Sequence, residues 1–286
     1  MICRASPDAA ARVVLDMHRA ILVAILSLWG CAKVAIAAPP AGSRPVLVEL
    51  YTSQGCSSCP PADRFVLELP ARGLGPDKVV ALTFHVDYWN HLGWADPFAM
   101  PSFTARQGWY ADSGRLRAPD SGRAITGIYT PQMIVAGQVH FPGGQTDVAL
   151  RQIAAAGGGG LFATAKVSLE TVATGDQQVA TVRIRVAGAD ALDRAQDWRV
   201  TGALVQKTAE THVRRGENGG ETLQEASVVR ALSPRLPLPA GAVAEVVLTL
   251  RKPAELAWQN VAVVAFVQSE KTRAVAAVAE IDARPR

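Results

Sequence analysis

Two cysteines separated by two serines stand in the segment LYTSQGCSSCPPADRF, which runs from Leu50 to Phe65. A pair at this spacing can be a redox couple, half of a metal site or a small structural disulfide. A purely structural disulfide is the less favoured interpretation, because closing so short a loop adds only about 2 kcal/mol to the free energy of unfolding in the chain-entropy model. The spacing suits exchange chemistry better, since Cys56 can attack a disulfide and Cys59 can resolve the mixed intermediate.

The segments around this pair follow the order strand, loop, cysteine pair, helix. VLVELY (46–51) is rich in strand formers, Gly55 lies in the loop, and the residues after Cys59 have helical apolar spacing. Cys56 is therefore near a helix amino terminus, where unpaired N–H groups favour a thiolate. The two prolines after the pair fit only the first turn of a helix. We expect the helix to begin at Ser58 or Cys59, which leaves Cys56 ahead of it and weakens this effect.

Further apolar runs predict the rest of this half of the chain. VVALTF (79–84) is a second strand, and strands at 133–136 and 139–141 form a hairpin around Gly137. Two glycines and an amphipathic helix from about Thr146 complete the unit.

Together these features resemble the thioredoxin fold over residues 45–156, with Thr130 and Pro131 opening the hairpin. More narrowly, the segments LYTSQGCSSCPPAD and YTPQ are similar to a family of secreted bacterial thioredoxin-like proteins of undetermined function. The resemblance implies that the Thr130–Pro131 peptide bond is cis and that Pro131 packs beside the cysteines. It also implies that Pro131, Thr130 and Tyr129 shape the groove for a substrate strand.

An insertion at 87–123 departs from the simplest form of that fold. Its aromatic residues include Trp89, Trp94, Phe98, Phe103, Trp109 and Tyr110, and its pattern predicts a helix over 102–110. Such an insertion is either a substrate-facing lid or additional core. We favour core, because most buried aromatic side chains serve packing.

Glu49 and His85 are the further candidates for chemistry near the pair. The resemblance places a buried acid behind the cysteines to move protons, and Glu49 is one residue further from Cys56 than that position. A strand glutamate that faces solvent or pairs with an arginine is an equal alternative. His85 follows the second strand and keeps a copper(I) site with the two thiolates open. Copper carriers of that type use a longer cysteine spacing, and zinc requires more ligands, so we expect no metal and no cofactor.

The second half of the chain has a different pattern. Gly157–Gly160 reads as a linker, and alternating apolar runs over 161–286 predict an antiparallel β-sandwich. The expected fold class is thus an α/β thioredoxin-like domain followed by an all-β sandwich-like domain. The polar loop HVRRGENGG (212–220) either faces a partner or the cysteine site, or is an ordinary hairpin turn.

Residues 1–37 read as a signal-peptide region, with translation starting at Met17 and cleavage after Ala37. Of the four cysteines, cleavage leaves only the pair, in an oxidising compartment. Lipidation at Cys31 is the alternative, and it is the only membrane attachment that we expect.

The sequence therefore predicts a secreted or periplasmic thiol-disulfide oxidoreductase that acts on protein thiols or disulfides through Cys56 and Cys59. The net charge of +4 is scattered, and no basic stretch alternates with aromatics, which argues against a nucleic-acid partner. Phosphate loops, nucleophile elbows and metalloprotease helices are absent from the sequence. A non-catalytic binding or scaffold module is the main alternative. The direction of exchange and the oligomeric state stay open.

Overall fold

The computed structural model describes residues 44–157, 165–173 and 178–283. The expected signal-peptide region and residues 158–160 of the glycine linker lie outside the described residues. Across the described ranges, no helix has the length and apolar character needed to cross a membrane.

The first half of the described chain forms four strands and three α-helices. They are β1 (Val46–Thr52), α1 (Pro60–Glu68), β2 (Val79–His85), α2 (Pro101–Asp112), β3 (Gln132–Val135), β4 (Val139–Pro142) and α3 (Thr146–Gly157). β1 pairs in parallel with β2 and antiparallel with β3, which pairs antiparallel with β4. The cysteine pair lies between β1 and α1, as predicted.

The second half consists of strands joined by turns and short 3-10 helices. They are β5 (Lys166–Ala173), β6 (Val179–Ala187), β7 (Trp198–His212), β8 (Thr222–Leu232), β9 (Leu236–Pro237), β10 (Val243–Arg251), β11 (Val261–Ser269) and β12 (Val275–Asp282). β5, β6 and β10 form a sheet of their own, in the order β10-β6-β5. This small sheet packs against β7, β11 and β12 around a core of aliphatic side chains.

The expected fold class, a thioredoxin-like domain followed by a separate β-sandwich, is wrong. Strands of both halves form one mixed nine-stranded sheet in the order β12-β11-β7-β8-β2-β1-β3-β4, with β9 beside β7. The halves meet where Thr83 of β2 pairs with Val228 of β8, and the Thr83 hydroxyl donates to the Ala226 carbonyl at 2.8 Å. The cause is β8, which the sequence pattern did not predict and which occupies the outer edge of β2.

Both faces of β1 are buried, which explains its nearly continuous apolar sequence. On one face, Val48 and Leu50 pack with side chains of α1 and α3. On the other, Leu47 and Tyr51 belong to a cluster that also contains Phe266 and other side chains of the second half. α2 lies on this second face and contributes two fully buried aromatic residues of the insertion, Phe103 and Tyr110.

The turn between β3 and β4 contacts the segment that leads into β12. The Val275 N–H donates to the Ala136 carbonyl at 3.0 Å. Gly137 has a φ of 67°, and a Cβ added there would overlap the Arg273 carbonyl oxygen. Only glycine fits this contact, because a side chain would need both a left-handed backbone and space that another backbone already fills.

We therefore expect Gly137→Ala to lower the free energy of unfolding by about 3 kcal/mol, through backbone strain and displacement of the Arg273 segment. Chemical denaturation of the variant and the wild type measures the difference. Gly144→Ala is the matched control, because nothing lies within 4 Å of an added Cβ there. An equal, small effect of both substitutions would contradict the tight contact.

Candidate functional site

Cys56 and Cys59 form a disulfide with their Cα atoms 5.5 Å apart. Both cysteines are fully buried, whereas Ser57 and Ser58 between them are exposed. α1 begins at Pro60, so both sulfurs precede the helix. The helix thus begins one residue after Cys59, the later of the two predicted starts. Cys56 lies ahead of the helix, as expected.

Pro131 lies close to the start of α1. The Thr130–Pro131 peptide bond is cis, as the resemblance implied. A Cβ added to Gly143 would come within 3.0 Å of Ala62 and Leu50 and within 3.2 Å of Pro131, so these three side chains surround one point. Since Ala62 donates its N–H to the Cys59 carbonyl, Pro131 lies near the turn that follows the cysteine pair.

The insertion holds the two residues before Pro131 in place. The indole N–H of Trp89 donates to the Thr130 hydroxyl at 2.8 Å, and the Gln107 amide donates to the Tyr129 carbonyl at 2.8 Å. The Tyr129 hydroxyl lies 3.1 Å from Nδ1 of His140. Both predicted substrate-binding residues are half-buried and lie on the segment that leads to Pro131.

Glu49 lies on the face of β1 that is turned away from α1. Its Oε1 pairs with Nε of Arg106 at 2.7 Å, and its other oxygen accepts the Tyr110 hydroxyl proton. Arg106 also donates to Gln268 of β11 at 3.0 Å. The structure thus gives Glu49 an arginine partner, the alternative left open by the sequence, and does not bring it to the cysteines.

A buried polar cluster occupies the space beside the pair, between β2, α1 and β8. We call it the acid-histidine cluster; its members are Asp63, His85, Asp96 and Glu225. Nδ1 of His85 lies 2.7 Å from Asp96, and Nε2 lies 3.6 Å from Glu225. Both ring nitrogens of His85 therefore face carboxylates. In the ranges that the structure describes, no three His, Cys, Asp or Glu side chains are arranged to hold a metal ion.

Burial and mutual charge shift the protonation of this cluster strongly. Burial, with the nearby Glu225 carboxylate, raises the pKa of Asp63 to about 8. Burial opposes the charged form of His85, but Asp96 and Glu225 outweigh it and raise the pKa of His85 to about 9. Burial also disfavours the Asp96 carboxylate, yet His85 and N–H donors lower its pKa. At neutral pH the cluster thus holds a protonated Asp63 beside a His85–Asp96 ion pair.

Gln54 connects this cluster to the cysteine loop. Its backbone N–H donates to Asp96 at 2.8 Å, and its side-chain amide donates to Glu225 at 2.9 Å. Its side-chain oxygen accepts the Trp94 indole N–H at 3.1 Å. Gln54 is buried two residues before Cys56, so it joins the insertion and β8 to the cysteine loop.

The turn between β7 and β8 covers the cysteine pair, and we call residues 213–221 the covering loop. Asn218 donates its amide hydrogens to the carbonyls of Gln54 and Cys56 at 2.9 and 3.0 Å. Glu217 accepts the Ser57 N–H at 2.9 Å. The sequence left open whether segment 212–220 faces a partner, faces the cysteine site or is an ordinary hairpin turn. In the structure it faces the cysteine site.

Sequence reasoning missed the roles of Asp63, Gln54, Asn218 and Glu225. Asp63 gave one usable signal: it follows Cys59 by one helical turn and lies between two inward positions, Ala62 and Val66. Nothing in the local pattern pointed to the other three side chains, because the hydrogen bonds of Gln54 with Glu225 and with Asn218 join segments more than 150 residues apart.

The fold and site define a protein with a mixed β-sheet and a covered CxxC disulfide, and two solved structures share the fold. A crystal structure of a protein from Agrobacterium tumefaciens is 24% identical with a TM-score of 0.60, over 85% of this chain and 96% of that chain. HBP35 of Porphyromonas gingivalis is 14% identical with a TM-score of 0.58, over 84% of this chain and 75% of its own. At these identities the likeness concerns the fold alone.

Comparison with curated proteins finds no match. The profile of DUF1223, a family of proteins of unknown function, matches residues 47–268, and the chain belongs to this family. The matched range runs from β1 into β11, so it includes the cysteine pair, the acid-histidine cluster and the covering loop.

The protonated Asp63 makes stability depend on pH. Its folded pKa lies above its unfolded value, so the stability it contributes is present below pH ~4 and is lost as pH rises towards 8. Asp63→Asn stays neutral throughout. We therefore expect the variant to gain roughly 1 kcal/mol or more over the wild type between about pH 5 and about pH 8, measured by chemical denaturation. With exposed Asp147→Asn as control, a difference that stays constant with pH would contradict the assignment.

Asn218→Ala removes two hydrogen bonds that hold the covering loop closed, each worth about 1 kcal/mol. We expect dithiothreitol to reduce the disulfide at least about tenfold faster, because the loop opens more often. Quenched alkylation followed by intact-mass analysis gives the rate. Thr222→Ala, a truncation at the exposed end of the same hairpin, is expected to leave the reduction rate unchanged. Equal rates for wild type and both variants would show that the loop does not limit access to the disulfide.

Proposed function

We propose that this chain is a thioredoxin-like thiol-disulfide oxidoreductase of a secreted or periplasmic compartment. The observation that carries the proposal is the disulfide between Cys56 and Cys59 directly ahead of α1, with Pro131 near the turn that follows it. The neighbouring strand order β2-β1-β3-β4 also supports it, because the cysteines follow β1 and Pro131 precedes β3. The protein partners would be thiols or disulfides of other chains.

In the reducing direction, the Cys56 thiolate attacks one sulfur of a partner disulfide. The partner S–S bond breaks, and the sulfur that leaves takes up a proton. The Cys59 thiol loses its proton and attacks Cys56, which releases the second partner sulfur as a thiol. The partner disulfide gains two electrons and two protons, and the Cys56–Cys59 pair loses them. The oxidising direction is the reverse of these steps.

Asp63 is suited to proton exchange with Cys59. It lies one helical turn after Cys59, and its backbone N–H donates to the Cys59 carbonyl at 3.2 Å. Burial and the other carboxylates raise its pKa to about 8, so it holds a proton near neutral pH that it can exchange with a thiol.

The compartment is proposed from the sequence. The basic and apolar segment before Ala37 resembles a secretory signal, and a disulfide persists in an oxidising compartment. Lipidation at Cys31 would attach the same protein to a membrane.

A non-catalytic binding module is the second candidate, and one observation favours it. Both cysteines are fully buried beneath the covering loop, so the closed structure offers no sulfur to a partner. In that case the disulfide would hold the loop after β1, and binding would use the surface around it.

Titration in glutathione buffers separates these two candidates. An exchange protein is expected to show a reversible potential between about −120 and −270 mV, read from the alkylated fraction of the pair by mass. A pair still oxidised below about −300 mV would be structural, and the binding module would then be favoured.

Trapping provides an independent test of the same proposal. Cys59→Ala leaves Cys56 without its resolving partner, so a mixed disulfide with a partner protein should accumulate, visible as a reducible adduct on a gel. Cys56→Ala is the matched control and should give no adduct. Adducts of equal amount with both variants would contradict the assigned order of attack.

A further inference from the structure

Glu217 places a carboxylate on the backbone of the cysteine loop. Its Oε2 accepts the N–H of Ser57, the residue directly after Cys56, at 2.9 Å. The Ser57 backbone and hydroxyl donors lower the pKa of Glu217, so the side chain is ionised at neutral pH. Among the described residues, no lysine or arginine lies within ion-pair distance of Glu217, and the cations of the same loop are Arg214 and Arg215, three and two residues before it.

The position of Glu217 is fixed by the covering loop. The Val213 N–H donates to the Glu221 carbonyl at 2.9 Å, and the Gly220 N–H donates to the Val213 carbonyl at 2.8 Å. On the outer side, Gly216 approaches Trp94 so closely that an added Cβ would lie 3.1 Å from the Trp94 Cβ. With the buried Asn218 beside it, Glu217 is held over the cysteine loop although its own side chain is exposed.

A carboxylate at this place acts against a thiolate on Cys56 in two ways. Backbone N–H groups beside the first cysteine are donors that would stabilise its thiolate, and Glu217 occupies the one on Ser57. In addition, two negative charges in neighbouring positions repel each other. The Ser58 hydroxyl lies 3.4 Å from the Cys56 sulfur and stays available as a donor.

We propose that Glu217 is a positioning residue that disfavours the Cys56 thiolate, so that the closed covering loop stabilises the disulfide over the dithiol. The inference rests on the proposed function and deepens it, since it assigns the control of the redox equilibrium to a loop of the second half of the chain. Destabilising the thiolate makes the pair harder to reduce, because a reduced form that is less stable gives a lower potential.

The test compares wild type, Glu217→Gln and Glu221→Gln in glutathione buffers. In each titration two glutathione thiols give two electrons and two protons to the protein disulfide and become glutathione disulfide. Glu217→Gln removes the charge and keeps the size, and we expect about a tenfold shift of the equilibrium towards the dithiol, or ~30 mV. Glu221 lies in the same loop and its hydrogen bonds there are made by its backbone, so Glu221→Gln should match the wild type.

A second readout separates charge from a loss of structure. The pH dependence of Cys56 alkylation in the reduced protein should move to lower pH in Glu217→Gln and stay in place in Glu221→Gln. If wild type titrates reversibly but all three proteins have the same potential and alkylation profile, the role of Glu217 is disproved and the proposed function stands. If wild type does not titrate above about −300 mV, both proposals fail.

Discussion

The contact of β8 with β2 is the constraint on which the rest of the structure depends. β2 belongs to the first half of the chain, and β8 covers the edge that β2 would otherwise leave unpaired. The same strand carries Glu225 to His85, whose other ring nitrogen contacts Asp96. Buried charges are tolerated only when their partners are present. The buried charges of the cluster therefore have their partners only in the assembled sheet. The two halves of the chain must fold together.

The cover over the cysteine pair follows from this contact. β7 and β8 are long, Trp198–His212 and Thr222–Leu232, and their turn extends to the loop after β1. Asn218 then satisfies two carbonyls of that loop. A first half that folded alone would leave the disulfide uncovered, so access to the sulfurs is controlled by a segment that begins more than 150 residues further along the chain.

The parts of the fold that were predictable are those with local signals. β1 to β4 and the helices around them are apolar runs bounded by glycine or proline, and their predicted positions are close to the observed ones. β8 was missed because its first half is polar and Ser227 has a φ of 55°, which interrupts the alternation. The sequence also could not show on which side of the sheet Glu49 lies. Because β1 is apolar on both faces, alternation shows which residues share a face but not which face α1 covers.

The two faces of β1 differ in how easily they can open. Behind it, the Arg106 guanidinium lies among the rings of Phe84, Tyr110 and Phe266 and pairs with Glu49. Separating these layers would break a buried ion pair, at a cost of several kcal/mol. In front, the covering loop is held to the cysteine segment by one hydrogen bond to Glu217 and two from the buried Asn218, and the two from Asn218 together are worth about 2 kcal/mol. Exposure of the Cys56 sulfur therefore requires movement of the loop and leaves the sheet intact.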